Sequence, residues 1–509
     1  MVVPGRALLL LALRKRRSCI GVHGGDAMSD VGSIVVRAIL IIPTVSAALL
    51  AILPDDRTTA RLNVVATLLT LLCAVALFFV RPEPGLFLIV DDVNIVFIVL
   101  NTFVGFTTSV FSGSYIAHEL ETGRLTHVYL RFYHAMYQTL MFAMNLALLA
   151  NNVGLMWVAV ELATLTTVLM VGIYRTHEAL EAAWKYFILG SVGIALALFG
   201  TILVYLASSS VLGEGMEAMA WSVLVQRASA FDPALLNLAF VFLLLGYGTK
   251  VGLAPLHAWL PDAHAEGPTP ISAVLSGLLL NVALFAVLRF KMVMSANSRA
   301  LAPGPLMVTL GLVSVVFAAF MLYRRDDIKR MFAYSSIEHM GIISFAFGMG
   351  GPLANFAGLL HMIMHSLTKS AIFFSVGHIA QVKGTQKMAD IRGLTVSHPV
   401  LGWGLVLGVI TIVGLPPMGI FMSEFLILTS TFARAPVLAV VLALGLLIAL
   451  GALLYRLNGM AFGDAHGSNA PARASYVPMF THLALVLAAG IYLPPLLVSW
   501  FQHIAELLG

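Results

Sequence analysis

Apolar runs of about twenty residues alternate with short polar stretches along nearly the whole chain. A membrane-crossing helix needs about 20 mostly apolar residues. The pattern predicts an all-α polytopic membrane protein with about fourteen transmembrane helices. They fall near 31–53, 60–80, 92–114, 132–150, 153–174, 184–207, 234–254, 268–290, 304–323, 328–349, 353–381, 398–430, 435–456 and 476–500. Very short turns within 132–174 and 328–381 make those neighbours antiparallel hairpins. The longest polar interval, 208–233, is too short to be a soluble domain.

Composition sharpens that picture. Of 509 residues, 60% are hydrophobic and 10% charged, where a soluble domain carries about 25% charged residues. A soluble enzyme, a disordered chain and a nucleic-acid binder are excluded. The two cysteines, Cys19 and Cys73, are far apart, and an iron–sulfur cluster takes about four thiolates. No GxxxxGK[ST] and no strand–GxGxxG–helix pattern occurs. The net charge of +5 suits loops beside anionic lipid.

Lys and Arg in short loops set the orientation. One side carries 15 of them, among them Arg324, Arg325, Lys329, Arg330 and Arg473. The other carries 7: Arg37, Arg81, Arg227, Arg289, Lys291, Arg299 and Arg434. The richer side is expected to be cytoplasmic, with both termini on the outer, periplasmic side of a prokaryotic inner membrane. Residues 1–27 break this rule with 5 further cations. Their apolar stretch precedes the basic one, the reverse of a signal peptide. A second methionine, Met28, opens a normal lead-in to the first span, so 1–27 reads as a mis-assigned start; the alternative is a basic extension at the membrane surface.

The remaining two cations, Lys250 and Lys369, lie inside apolar spans. A charged side chain at mid-membrane costs several kcal/mol and marks a functional candidate. Successive spans offer Glu161, Lys250, Glu338 with His339, then His361, His365 and Lys369, then Glu424. The spacing of His361, His365 and Lys369, i, i+4, i+8, puts them on one slowly drifting helix face. Any one of these could be half of a structural ion pair, and a histidine could simply donate to a carbonyl. A row of alternating acids and bases is better explained as a proton relay. A metal site at His257 and His264 lacks a further ligand pair, and no metal site is expected on this chain.

Two spans are also broken. Gly252-Leu-Ala-Pro255 and Gly414-Leu-Pro416-Pro417 share a G-L-x-P pattern 162 residues apart. Proline removes a helix hydrogen bond, and free backbone at membrane depth is tolerated where it lines a cavity. Paired broken helices in corresponding halves point to an inverted-repeat transporter; two ordinary proline kinks are the alternative.

The run Gly248-Thr-Lys250-Val-Gly-Leu-Ala-Pro255-Leu-His257-Ala-Trp-Leu-Pro-Asp262-Ala-His264-Ala-Glu-Gly-Pro268-Thr-Pro270 resembles the antiporter-like, proton-translocating membrane subunits of respiratory complex I. Asp327-Ile-Lys-Arg330-Met-Phe-Ala-Tyr-Ser-Ser336 and His339-Met-Gly341 support it. The likeness extends from Val31 to Gly509. Leu180-Glu-Ala-Ala-Trp-Lys-Tyr186, Asn151-Asn152 and His365-Ser-Leu-Thr-Lys369 bring it nearest to the hydrogenase-4 component F group within that family.

That resemblance implies two inverted five-helix repeats, 132–290 and 304–456, with broken helices in spans 7 and 12. Peripheral helices at 28–131 precede them, and a loop and helix at 457–509 follow. It implies a proton path through Glu161, Lys250 and Glu424, to which the sequence adds His257, Asn281, Glu338, His339, His361, His365 and Lys369. Asn281 stands where many relatives carry a lysine; it cannot titrate but can hold a water. No cofactor is expected on this chain, which has no redox centre of its own. Electron transfer would lie in hydrophilic partners, a [NiFe]-hydrogenase-like or dehydrogenase module with iron–sulfur clusters, alongside further antiporter-like and anchor membrane subunits. The alternatives are a cation/proton antiporter subunit and the membrane part of an inorganic-carbon uptake complex.

Overall fold

The structure is a computed structural model that describes residues 23–466, 470–471 and 475–509. The start-site reading of 1–27 and the loop cation Arg473 therefore fall largely outside the described residues. Among those residues there is no β-strand. The long helices are α1 (His23–Ile52), α2 (Asp56–Ala76), α3 (Asp92–Glu121), α4 (His127–Leu149), α5 (Val153–Val171), α6 (His177–Leu212) and α7 (Pro233–Val251). Then come α8 (Thr269–Ser295), α9 (Gly304–Leu322), α10 (Ile328–Met349), α11 (Pro352–Lys383), α12 (Pro399–Ile412), α13 (Gly419–Arg434), α14 (Pro436–Ala461), α15 (Val477–Ile491) and α16 (Pro495–Leu507).

Helix starts are set by short polar side chains. Asp55, Asp91, Thr126, Asn152, Thr176, Asp232 and Asp327 each accept a backbone N–H from the first turn that follows. Such a cap satisfies donors that have no partner within the helix. Apolar positions spaced between these caps then form the spans.

Ten helices among the described residues are long and apolar enough to cross a membrane, or eleven if α15 and α16, bent by 84°, count as one. The expected fourteen are not confirmed as a count. Helices α4 and α10 coincide with expected spans but are more polar, because His134, Gln138, Asn145, Lys329, Glu338 and His339 are buried there against other helices. The expected span 398–430 is two helices, α12 and α13, separated at Val413–Met418.

Helices α8 and α11 form the centre: 100% and 94% of their most apolar windows are buried, against 28% for α1. Close helix pairs rely on glycine. Along the antiparallel α9–α10 contact, a Cβ on Gly311 would stand 2.6 Å from the Gly341 carbonyl oxygen, and one on Gly348 2.6 Å from the Val308 nitrogen. Likewise a Cβ on Gly246 of α7 would stand 2.4 Å from the Ala197 nitrogen of α6. Small residues let backbones approach where lipid supplies no hydrophobic drive between helices.

Three loop assignments need correcting. Arg289 and Lys291 are not loop cations: both lie in α8 and are buried. Arg289 pairs with Asp91 at 2.7 Å between the rings of Trp221 and Phe285. Lys291 donates to the Leu508 carbonyl at 2.7 Å. Arg434 ends α13 and donates to the carbonyls of Met349 and Gly350, at 2.8 and 2.6 Å, capping α10. Arg289 and Lys291 are drawn inward by carboxylate and backbone oxygens, while Arg434 stays exposed and satisfies carbonyls at a helix end.

Gly311→Ala should destabilise the chain by about 1–3 kcal/mol through overpacking. Gly459→Ala, whose Cβ meets nothing within 4 Å, should stay within about 0.5 kcal/mol of the parent. Thermal unfolding of the purified chain in detergent measures both; equal losses would remove the α9–α10 contact as the cause.

Candidate functional site

The two breaks have the same backbone geometry. Gly252 (φ +81°) and Gly414 (φ +67°) turn the chain through the left-handed region, which only glycine enters at low cost. Their N–H groups bond to Thr249 and Thr411, each at 3.2 Å. The next residues, Leu253 and Leu415, donate to Gly248 and Ile410 at 3.0 and 3.2 Å. Leu256 and Met418 then donate to Leu253 and Leu415. Peptide bonds Ala254–Pro255 and Pro416–Pro417 are both cis.

Beside the first break stands a charged pair. Lys250 Nζ is 3.9 Å from Glu161 Oε2, across α7 and α5. Neither atom makes a hydrogen bond to the described residues. The ammonium also faces the Tyr186 ring at 5.7 Å. Room for it is made by Gly190 of α6, where a Cβ would come 2.8 Å from Nζ. Tyr186 bonds to Thr167 at 2.8 Å and stacks on Trp259 with centroids 4.2 Å apart. Trp259 Nε1 donates to the Thr249 carbonyl at 2.8 Å. On the far side Ser314 Oγ accepts the Ala254 N–H at 2.8 Å. The broken backbone is thus held by an indole and a serine from outside its own helix.

The second half holds a larger cluster. His339 Nδ1 and His361 Nε2 share a hydrogen bond of 2.9 Å between α10 and α11, and the rings stack at 5.1 Å. His361 Nδ1 meets Ser423 Oγ at 2.9 Å. The His365 ring centroid is 5.5 Å from that of His339, and neither of its nitrogens has a partner among the described residues. One turn on, Lys369 Nζ donates to the Phe332 carbonyl at 2.9 Å. Glu424 of α13 lies against the second break, its carboxylate filling the space a Cβ on Gly414 would take. Donor atoms of His339, His361 and Glu424 lie within 4.8 Å of one another. Glu338, buried next to His339, has one oxygen without a partner.

Asn281 ties the centre together. It follows a π-helical turn at Leu275–Leu279, a local device common near functional sites. Its Nδ2 donates to the Met362 carbonyl at 3.1 Å and to Ser366 Oγ at 2.7 Å. Ser366 in turn donates to the Gly277 carbonyl. His257 stands apart, packed on Phe317 at 4.6 Å. His264 lies against Phe373 and bonds to the Leu260 carbonyl. Those two histidines therefore do not converge.

The structure thus gathers the expected residues into a Glu161–Lys250 pair and a His339–His361–His365–Glu424 cluster, with Lys369 and Glu338 adjoining. Tyr186, Trp259, Ser314, Ser366 and Ser423 were not singled out from the sequence. Trp259, Tyr186 and Ser366 had a signal, since they sit in the quoted motifs; Ser314 and Ser423, lone serines in apolar spans, have none.

The family described as NADH:quinone oxidoreductase/Mrp antiporter, TM matches residues 150–450. Over 471 residues the chain is 62% identical to the hydrogenase-4 component F homolog of Methylacidiphilum infernorum (isolate V4), spanning 92% of this chain and 99% of that one. It is 33% identical over 221 residues to NADH-quinone oxidoreductase subunit M of Escherichia coli (strain K12), 43% of each chain. A chain of the membrane-bound sulfane sulfur reductase, an archaeal respiratory membrane complex, superposes with a TM-score of 0.83 at 21% identity, over 93% of this chain and 97% of that one. A chain of respiratory complex I from Thermus thermophilus does so with a TM-score of 0.77 at 22% identity, over 93% and 100%. At such identities these two structures show a shared fold.

Trp259→Phe keeps a ring on Tyr186 but removes the donor to Thr249. It should cost about 1 kcal/mol, whereas Trp259→Ala should cost about 3–5 kcal/mol by emptying a buried ring site. Denaturation in detergent distinguishes them; a full-sized loss from Trp259→Phe would make the hydrogen bond, not the stack, the main support of the break.

Proposed function

The chain belongs to the NADH:quinone oxidoreductase/Mrp antiporter transmembrane family, and on that premise we infer that it is a proton-translocating, antiporter-like membrane subunit of a respiratory complex. In the finer reading that complex is of the hydrogenase-4 type and sits in a prokaryotic inner membrane, with both termini outside. The observation that carries the reading is the row of buried titratable groups flanked by two matching helix breaks.

Two five-helix repeats, 132–290 and 304–456, would each contribute one broken helix, α7 and the α12–α13 pair. The breaks lie five spans apart in the expected order, so they run oppositely through the membrane, as inverted repeats require. The hydrogen-bond pattern common to Gly252 and Gly414 supports this.

The Glu161–Lys250 pair would act as the gate of the first half. At an effective dielectric of about 20, unit charges about 4 Å apart attract by about 4 kcal/mol. Moving one charge against 100 mV takes about 2.3 kcal/mol. Opening and closing the pair is therefore enough to commit a proton. Lys250 and Glu161 exchange protons as a coupled unit. From Lys250 the proton would pass by Asn281 and the histidine cluster, then by Lys369, Glu338 and Glu424 to the far side. His257 would serve at the edge of the path. The energy would come from electron transfer in a hydrophilic partner, a hydrogenase-like or dehydrogenase module carrying the metal clusters.

Lys250→Ala and Glu161→Gln should each abolish proton uptake by vesicles driven through the partner module, while the variants still insert. Glu424→Gln should do the same; Glu214→Gln, in an exposed loop, should be silent. Wild-type uptake in Lys250→Ala or Glu161→Gln sinks the gate.

Asn281→Lys should still pump, because an ammonium can donate to the same Met362 and Ser366 oxygens. Asn281→Leu should not, since it removes both donors and the Oδ1 acceptor. Normal uptake by the leucine variant with failure of the lysine variant would route the path around this residue.

A further inference from the structure

The His339–His361 contact has a second chemical capacity. We propose that His339 Nδ1, His361 Nε2 and a Glu424 oxygen form a binding site for a divalent transition-metal ion of the zinc class, with His365 as the fourth ligand.

The donor set selects the ion. Two or three imidazoles and one carboxylate suit zinc and disfavour magnesium and calcium, which take oxygen ligands. Zinc bonds of about 2.0–2.2 Å in a tetrahedron place ligand atoms about 3.3 Å apart. The atoms already stand between 2.9 Å, for the two ring nitrogens, and 4.8 Å. Side-chain rotation is enough to close the set. His365 is fully buried, both its nitrogens lack partners among the described residues, and its ring is 5.5 Å from that of His339.

The outer contacts fix the tautomers that metal binding needs. Ser423 Oγ donates to the Ile420 carbonyl at 2.8 Å, so toward His361 it accepts. His361 therefore carries its proton on Nδ1 and presents a bare lone pair at Nε2. This is the orienting contact typical of a metal-bound histidine. His339 also reaches the Ile412 carbonyl. In an unbroken helix Ile412 would accept from residue 416, but Pro416 has no N–H. That carbonyl can receive the His339 proton on Nε2, which frees Nδ1 for the ion. The proton only changes nitrogen, so no net release is required.

Charge favours a dication as well. Glu424 and Glu338 interact electrostatically across the site. Two carboxylates balance the two positive charges of the ion once Lys369, which faces Glu338, His339 and His365, is neutral, and an unbalanced charge in such a place is costly. If the relay proposed above operates, an ion here replaces its central hydrogen bond and blocks it. The binding itself does not depend on that relay, and it is read without turnover.

The test uses the full chain, purified in detergent, stripped with chelator, loaded with zinc sulfate and desalted. Elemental analysis should give about one zinc per chain, and X-ray absorption an imidazole-dominated shell. His361→Gln and Glu424→Gln should weaken retention at least about tenfold. Ser423→Ala, a mild change on a helix, should weaken it about 10–100-fold by losing the orienting contact. His134→Gln, at a buried histidine outside the cluster, should retain wild-type zinc. No zinc on the parent chain overturns the proposal. So does parental binding by Ser423→Ala together with His361→Gln, which would place the ion on surface histidines. Should His361→Gln fail to fold, Ser423→Ala decides alone.

Discussion

A bilayer offers backbone no water, so every carbonyl freed by a helix break must find a partner within the protein. The site depends on that constraint. At the first break the Thr249 carbonyl takes the Trp259 indole, and Ser314 takes the Ala254 N–H. At the second, Pro416 and Pro417 deny donors to Ile412 and Val413, and His339 turns toward the Ile412 carbonyl. The polar side chains that mend the broken backbone are thereby brought next to Lys250 and Glu424. The breaks and the titratable groups are one arrangement rather than two features that coincide.

The same constraint explains why the charges are held apart. Lys250 and Glu161 approach to 3.9 Å without a hydrogen bond. A tight bidentate pair would bind its proton in one state; a loose pair at a glycine-lined gap can change distance at small cost. Arg289 and Asp91 stand closer, at 2.7 Å between two aromatic rings, although the guanidinium nitrogens likewise make no hydrogen bond to the described residues. That pair ties α3 to α8 where Asp91 also caps α3. The two pairs thus differ in separation.

Much of this was legible in the sequence because a membrane imposes long, uniform patterns. The positions of the spans, the two G-L-x-P breaks and the buried charges follow from hydropathy and from the cost of a charge in lipid. Where the sequence misled, polarity was ambiguous. Arg289 and Lys291 read as loop cations because they end an apolar run; only the packed neighbours, Asp91 and the Leu508 carbonyl, bring them inside. Helices α4 and α10, expected as spans, fall short of span hydropathy because they bury polar residues such as Gln138, Lys329 and Glu338. The His339–His361 bond joins two helices, and no one-helix periodicity registers such a pair. The roles of Ser423 and Ser366 were invisible for a simpler reason. A serine in an apolar span usually bonds to its own helix; Ser423 does so and also meets His361, whereas the Ser366 hydroxyl bonds across to Gly277 and Asn281 on α8.

Asn281 shows how local geometry can fix a polar side chain that does not titrate. Its Nδ2 is committed to Met362 and Ser366, and Ser366 is committed to the carbonyl of Gly277 in the π turn. This chain of donors leaves the amide a single orientation. Its Oδ1, buried and without a protein donor, is held as a fixed acceptor at the junction of α8 and α11. A lysine at this position would present a mobile charge; the asparagine presents a stationary dipole. In the proposed relay the protonation change would then fall on neighbouring histidines, which lie at hydrogen-bond distance from one another and from Ser423. In this reading the asparagine of α8 is a stationary acceptor, and the bonded histidine pair on α10 and α11 passes the proton along a fixed chain.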